Sequence, residues 1–214
     1  MNSLKKAIIF DFDGTIADSM QIFIDTTKII TKTDKIFNKK EIDEIRNLTI
    51  PEVLVRLGIK KWQIPNLLIS GKKEMDKRIG DAKPYDGIIN VIQELNKHYS
   101  LYILSGNSKR NINSFLKKYE LSDQFVNIYG SISIWGKSAG LKKLCRKIGV
   151  SPNKCIYIGD EIRDLEASKK VNINFISVSW GFNSKEILLK LSPQFIVDSP
   201  KDIIQKVNLI FNQK

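Results

Sequence analysis

Asp11 and Asp13, in the stretch Asp11-Phe12-Asp13-Gly14-Thr15, are the residues whose types and spacing point most directly to chemistry. They follow the apolar run Ala7-Ile8-Ile9-Phe10, whose β-branched and aromatic character reads as a short buried strand. Two aspartates two residues apart at a strand end point to the same side. Buried together, they repel and need compensation. A divalent cation that prefers oxygen ligands, Mg2+, is the natural compensator. Gly14 permits a backbone turn in which main-chain amides approach an anion. An Asp-Gly turn after a strand is common by itself. The apolar run joined to the whole pentapeptide is much less so.

Three further clusters accompany it. The run 154–158 is a second buried-strand candidate and also ends in acid, as Gly159-Asp160-Glu161-Ile162-Arg163-Asp164. The strand candidate 101–104 ends in Ser105-Gly106-Asn107, which alone is only a turn. Lys137, in Trp135-Gly136-Lys137-Ser138, opens a predicted helix. Taken in order, these four clusters resemble the motifs of the haloacid dehalogenase-like (HAD) phosphohydrolase superfamily, and the resemblance covers essentially the whole chain. It is nearest to the phosphoglycolate-phosphatase-like branch, through Val178-Ser179-Trp180-Gly181-Phe182 and Pro193-Gln194-Phe195-Ile196-Val197-Asp198-Ser199-Pro200.

The resemblance implies a role for each residue. Asp11 would attack phosphorus and form an aspartyl-phosphate. Asp13 would be the general acid and then the general base. An acid at that position also favours phosphoryl transfer, since the family's dehalogenases lack it. Ser105 would hydrogen-bond the phosphoryl group, with the neighbouring backbone at Gly106 and Asn107 assisting, and Lys137 would neutralise charge in the transition state. The Lys137 match is the loosest, lacking the proline that often follows in relatives; Lys142 and Lys143 are fallbacks. Asp160 would ligate Mg2+ with a carboxylate oxygen of Asp11 and the backbone carbonyl of Asp13. Asp164, four residues on and on the same helical face, would support the metal or orient Lys137. Glu161 reads equally well as added charge near the metal or as an exposed helix start.

The elements that carry these residues alternate. After the first strand comes a block, about 20–83, with no convincing buried strand. It reads as helices ending near Lys32, around 39–48, at 51–57 and at 65–79, with Ser19 as a cap and Pro51 and Pro65 at helix starts. From Pro84 onward helices and strands alternate to the C-terminus, which predicts a doubly wound parallel α/β sheet. The expected domains are therefore a catalytic core, 1–19 and 84–214, and a small all-helical cap, 20–83.

The bulk properties fit a globular enzyme. The chain has 214 residues, and its 42% hydrophobic and 27% charged fractions are ordinary. No apolar stretch approaches the roughly 20 residues needed to span a bilayer, and the first apolar segment is too short for a signal peptide. The expectation is a cytoplasmic protein without a membrane partner, monomeric or homodimeric. Two cysteines, Cys145 and Cys155, are too few and too widely spaced for a disulfide framework. The net charge of +12 raises nucleic-acid binding. The charge is nearly all lysine, however, spread along the chain and not interleaved with stacking aromatics, so nucleic acid is not expected. The function expected from all this is Mg2+-dependent hydrolysis of a small, phosphoglycolate-like phosphorylated metabolite. The alternatives are a β-phosphoglucomutase-like phosphomutase, an inorganic pyrophosphatase, or a catalytically silent binding module. Arg46, Thr49 and Lys72 are candidate substrate contacts in the cap; lone His98 reads as surface.

Overall fold

In the computed structural model the described residues are 6–33, 36–133 and 136–212. The chain opens with β1 (Ala7–Phe10) and a short strand β2 (Ala17–Asp18). Helices α1 (Met20–Thr31), α2 (Lys39–Ile45), α3 (Ile50–Arg56) and α4 (Ile64–Arg78) follow, before a second short strand, β3 (Lys83–Pro84). Alternation then sets in with α5 (Ile88–Asn96), β4 (Ser100–Leu104), α6 (Lys109–Lys118), β5 (Asn127–Tyr129) and α7 (Lys137–Ile148). It continues through β6 (Cys155–Gly159), α8 (Ile162–Val171), β7 (Asn174–Val178), α9 (Lys185–Lys190), β8 (Phe195–Val197) and α10 (Pro200–Asn212).

Six strands form one parallel sheet in the order β5-β4-β1-β6-β7-β8. β1 is central, and every residue of it is buried. Side chains alternate across it: Ile8 and Phe10 join the core formed with α5, α6 and α10, whereas Ala7 and Ile9 join that formed with α7 and α8. A parallel sheet covered on both faces needs such continuous apolar strands, which is why the runs were legible in the sequence. The chain order reverses at β1, so the crevice above the carboxyl ends of β1 and β6 is where ligands bind in open sheets of this kind.

The four helices α1–α4 leave and re-enter through the antiparallel ribbon of β2 and β3, where Ala17 faces Pro84 and Asp18 faces Lys83. α2 ends at Ile45, three residues short of the expected 48, because the carbonyls beyond it serve another segment. The Arg46 carbonyl accepts from the Ser184 amide (2.9 Å) and from Asn183 Nδ2 (3.0 Å). The Leu48 carbonyl accepts from the same Asn183 group at 3.0 Å. Ser19 occupies the N-cap position of α1 but makes no capping hydrogen bond with its side chain. Cys145 and Cys155, distant in the sequence sense, bring their buried sulfurs to 3.9 Å, both as free thiols. No helix among the described residues is long and apolar enough to cross a membrane.

Candidate active site

Asp11, Ser105 and Asp160 lie immediately beyond the carboxyl ends of the three neighbouring strands β1, β4 and β6, which are locked in register (Phe10 opposite Ile103 and Ile158). Lys137 reaches the same place from the first residue of α7. Asp11 is 2% exposed and Lys137 3%. The Lys137 ammonium lies 2.5 Å from Asp11 Oδ2 and also pairs with Asp164 Oδ1. Tyr157 on β6 donates its hydroxyl to the same Asp164 oxygen at 2.7 Å, and Asp164 Oδ2 accepts from the Glu161 amide. Asp164 therefore holds Lys137 from below while Asp11 faces it from the strand.

The electrostatics follow from burial. Burial pushes the Asp11 carboxyl up to about 7; Lys137 opposes the shift, and Asp164 and Glu161 add to it. Burial would also raise Asp164, but Lys137 and Arg163, with hydrogen bonds from Lys137 and Tyr157, hold it below the usual carboxylate range. Burial alone would lower Lys137; Asp11 and Asp164 overturn this and keep its ammonium charged.

Asp160 sits deeper still, with no exposed surface. Its Oδ1 accepts from the Thr15 hydroxyl at 2.8 Å and its Oδ2 from the Phe182 amide at 2.7 Å. Gly14 and Gly181 clasp it from either side. A Cβ on Gly14 (φ +73°) would fall 2.1 Å from Asp160 Oδ2, and one on Gly181 2.3 Å from Asp160 Cβ. Burial, then repulsion from Glu161, Asp11 and Asp164, raises the Asp160 carboxyl well above its ordinary value.

Asp13 is half-buried and faces Asn107, whose Nδ2 lies 3.2 and 3.1 Å from its two oxygens. Burial raises its carboxyl; hydrogen bonds from Asn107 and from Ser19 pull it back. The hydroxyl expected to cap α1 is thus turned to Asp13. Asn107 Oδ1 in turn accepts from the Ser108 amide at 2.8 Å and from Asn111 Nδ2 at 3.3 Å. The Ser105 hydroxyl accepts from the Asn107 amide at 3.0 Å, which shapes the turn at Gly106.

Among the described residues, the carboxylates whose oxygens all lie within 4.8 Å of one another are those of Asp11, Glu161 and Asp164. Glu161 is 7% exposed and forked onto Arg163 (2.6 Å to Nε), so it belongs to the site and is not an exposed helix start. Four buried carboxyl groups, Asp11, Asp160, Glu161 and Asp164, thus face two cations, Lys137 and Arg163. Asp160 has only neutral donors. A hard divalent cation, which takes oxygen ligands, would supply the missing charge, so the donor set fits Mg2+.

A cavity of about 440 Å³ opens over this cluster, from Asp11, Asp13, Gly14, Ser105 and Gly106 up to α1, α3 and α4. Of the cap candidates, Lys72 lines it. Arg46 does not; its guanidinium is held by the carbonyls of Ser179 (3.1 Å), Gly181 (3.0 Å) and Phe182 (3.3 Å). The Thr49 hydroxyl donates to Glu52 within its own helix start. Lys142 and Lys143 are exposed on α7, and Trp135 of the lysine motif lies outside the described residues. His98 is on the surface beside Glu94. Sequence reasoning missed Tyr157, Thr15 and the 179–183 loop as site residues. Only the resemblance carried by Trp180-Gly181-Phe182 hinted at the last.

An α/β sheet of this order, with acids on adjacent strand ends and a lysine between two of them, defines a phosphohydrolase-type centre of the HAD class. Residues 8–178 match the family model for haloacid dehalogenase-like hydrolases, and the chain belongs to that family. It is 31% identical over 218 residues to the phosphoglycolate phosphatase of Synechococcus elongatus, covering 97% of this chain and all of that one. It is 21% identical over 206 residues to the pyrophosphatase PpaX of Oceanobacillus iheyensis, covering 93% of this chain and 95% of that one. Its fold is similar to that of a haloacid dehalogenase-like family hydrolase from Streptococcus pneumoniae, with a TM-score of 0.78 at 24% identity over 96% of this chain and 99% of the other.

Proposed function

We propose that this protein is a Mg2+-dependent phosphatase for small phosphate monoesters, acting through an aspartyl-phosphate on Asp11. The observation that carries the reading is the Asp11 carboxylate, which sits at the end of the central strand beside a buried lysine and beneath the cavity described above. Asp11 Oδ attacks phosphorus in line, and Ser105 and Lys137 hold the phosphoryl oxygens as their charge spreads. Asp13 gives a proton to the departing alcohol and then takes one from the water that frees Asp11. Its half-buried place and its Asn107 and Ser19 hydrogen bonds suit a carboxyl that must exchange protons. Asp164 positions Lys137. Asp11, the backbone carbonyl of Asp13 and Asp160 would hold the metal, with Glu161 nearby. Mg2+ bound there would neutralise the acids and the incoming phosphate together.

The division of labour follows the β2–β3 ribbon. Residues 1–19 and 84–214 form the catalytic core, and 20–83 form a cap whose closure would exclude water from Asp11. Likeness to named phosphoglycolate phosphatases makes 2-phosphoglycolate the first substrate to assay. Pyrophosphate is second, from the likeness to PpaX. The test is phosphate release from a panel of phosphate esters with Mg2+ or with excess chelator, for wild type and Asp11→Asn. Mg2+-dependent release by wild type and a loss of at least a thousandfold in the mutant are expected. Full activity in chelator, or a tenth of it in the mutant, overturns the reading.

A further inference from the structure

The cavity over Asp11 is larger and less polar than a two-carbon acid phosphate or a pyrophosphate needs. Its volume, about 440 Å³, lies in the range of pockets that take drug-sized ligands. Above the polar floor the walls are Phe23 and Ile30 from α1, Leu54 from α3, and Leu68 and Met75 from α4. The polar side chains that these helices bring to the cavity are Thr26, Thr27, Lys72 and Asp76, and two of them are committed. The Thr27 hydroxyl donates to the Phe23 carbonyl at 2.8 Å. Asp76 accepts from Asn111 Nδ2 at 2.8 Å. Arg46 is held by the 179–182 carbonyls. What remains on the cap side is Lys72 and the buried hydroxyl of Thr26, which has no hydrogen-bond partner among the described residues; from the core, Tyr85, Ser131 and Ser133 add hydroxyls.

We infer that this cavity selects phosphate monoesters with an aliphatic or aromatic body over 2-phosphoglycolate, sugar phosphates and pyrophosphate; the inference rests on the phosphatase reading above. A sugar would bring several hydroxyls against a cap wall that is mostly apolar, and each one left unpaired there weakens binding. An alkyl chain loses nothing there and gains about fourfold in affinity for each methylene taken from water. The chemistry is unchanged. The bond from phosphorus to the ester oxygen breaks as Asp11 Oδ bonds to phosphorus, and the alcohol leaves with a proton from Asp13. One water then splits the acyl phosphate into phosphate and free Asp11.

The test is the purified full chain with Mg2+ and the series ethyl, butyl and hexyl phosphate, whose leaving alcohols are chemically alike, beside 2-phosphoglycolate, glucose 6-phosphate and pyrophosphate. kcat/KM is expected to rise about fourfold per methylene, through KM, with hexyl phosphate about 250-fold above ethyl. The three polar substrates should fall below butyl phosphate. Leu68→Asp, which puts a charge on the wall, should flatten the alkyl series. A flat series in wild type, or 2-phosphoglycolate, glucose 6-phosphate or pyrophosphate ranking first, overturns the inference and leaves the phosphatase reading standing. No Mg2+-dependent release from any monoester overturns both.

Discussion

The ammonium of Lys137 lies 2.5 Å from Oδ2 of Asp11, both groups being almost wholly buried. A lysine at the first position of a helix opposes the helix dipole, and burying it there is tolerable only because Asp11 and Asp164 take it from two sides. Removing it would leave two buried acids unneutralised. Lys137→Met should therefore lower stability by about 3–5 kcal/mol and turnover by at least a hundredfold. The stability deficit, read as Tm, should shrink as the pH is lowered and the acids take up protons. A mutant as stable as wild type at pH 8 would contradict the pairing.

The acids make a second prediction, on pH. Asp11 is raised from 3.8 to about 7, so between those values the native state keeps a proton that the unfolded chain has lost. By linkage, native stability then falls as the pH rises through that window, by on the order of 4 kcal/mol for Asp11 at 1.36 kcal/mol per unit. Asp13 and Asp160 are shifted in the same direction. Asp164 is shifted the other way, and its stabilisation is lost only in stronger acid, as the pH falls through its lowered value. In chelator, Tm should rise as the pH is taken from 8 to 5, and saturating Mg2+ should flatten that slope. A Tm that climbs with pH over this range in chelator would refute the account.

Much of this was legible because parallel strands announce themselves. The runs ending at Phe10, Leu104 and Gly159 are apolar throughout, and the residues that follow each one land at the same edge of the sheet. Lys137 was legible only through motif order, since one lysine among many carries no label until burial singles it out. The support around the site was not legible, because main-chain groups distant in sequence supply it. The Phe182 amide on Asp160 and the Ser179, Gly181 and Phe182 carbonyls on Arg46 have no side-chain signature. Arg46 therefore read as a substrate contact when it is a strut. Ser19 misled for a related reason: a serine before a helix usually caps it, and here a carboxylate competes for the hydroxyl. Tyr157 reads as one more strand aromatic until its hydroxyl is found on Asp164.

The clasp around Asp160 gives a third prediction. A methyl on Gly181 would meet Asp160 Cβ and the Gly14 carbonyl at 2.3 Å each, and the latter is backbone that cannot step aside. Gly181→Ala should cost about 1–3 kcal/mol through overpacking. Because it displaces a proposed metal ligand, it should also weaken Mg2+ activation about 10–100-fold. Gly80, with nothing within 4 Å of its would-be Cβ, is the control, and Gly80→Ala should change neither quantity. Unaltered Mg2+ activation in Gly181→Ala would remove Asp160 from the proposed ligand set.

The fourth prediction concerns Asp13 and separates positioning from bulk structure. Asn107 donates to both Asp13 oxygens and so favours the charged carboxylate, against burial, which favours the neutral acid. Without that donor the acid holds its proton to higher pH. In Asn107→Ala the alkaline limb of kcat should move up, since that limb reports loss of the proton Asp13 gives to the leaving alcohol. kcat itself should fall about 10–100-fold, the usual worth of a hydrogen bond to a charged group. An aryl ester such as 4-nitrophenyl phosphate, whose leaving group departs without protonation, should show no movement of that limb. A merely structural asparagine would lower both substrates alike and leave both pH profiles in place, and that outcome would sink the assignment of Asp13 as the proton donor.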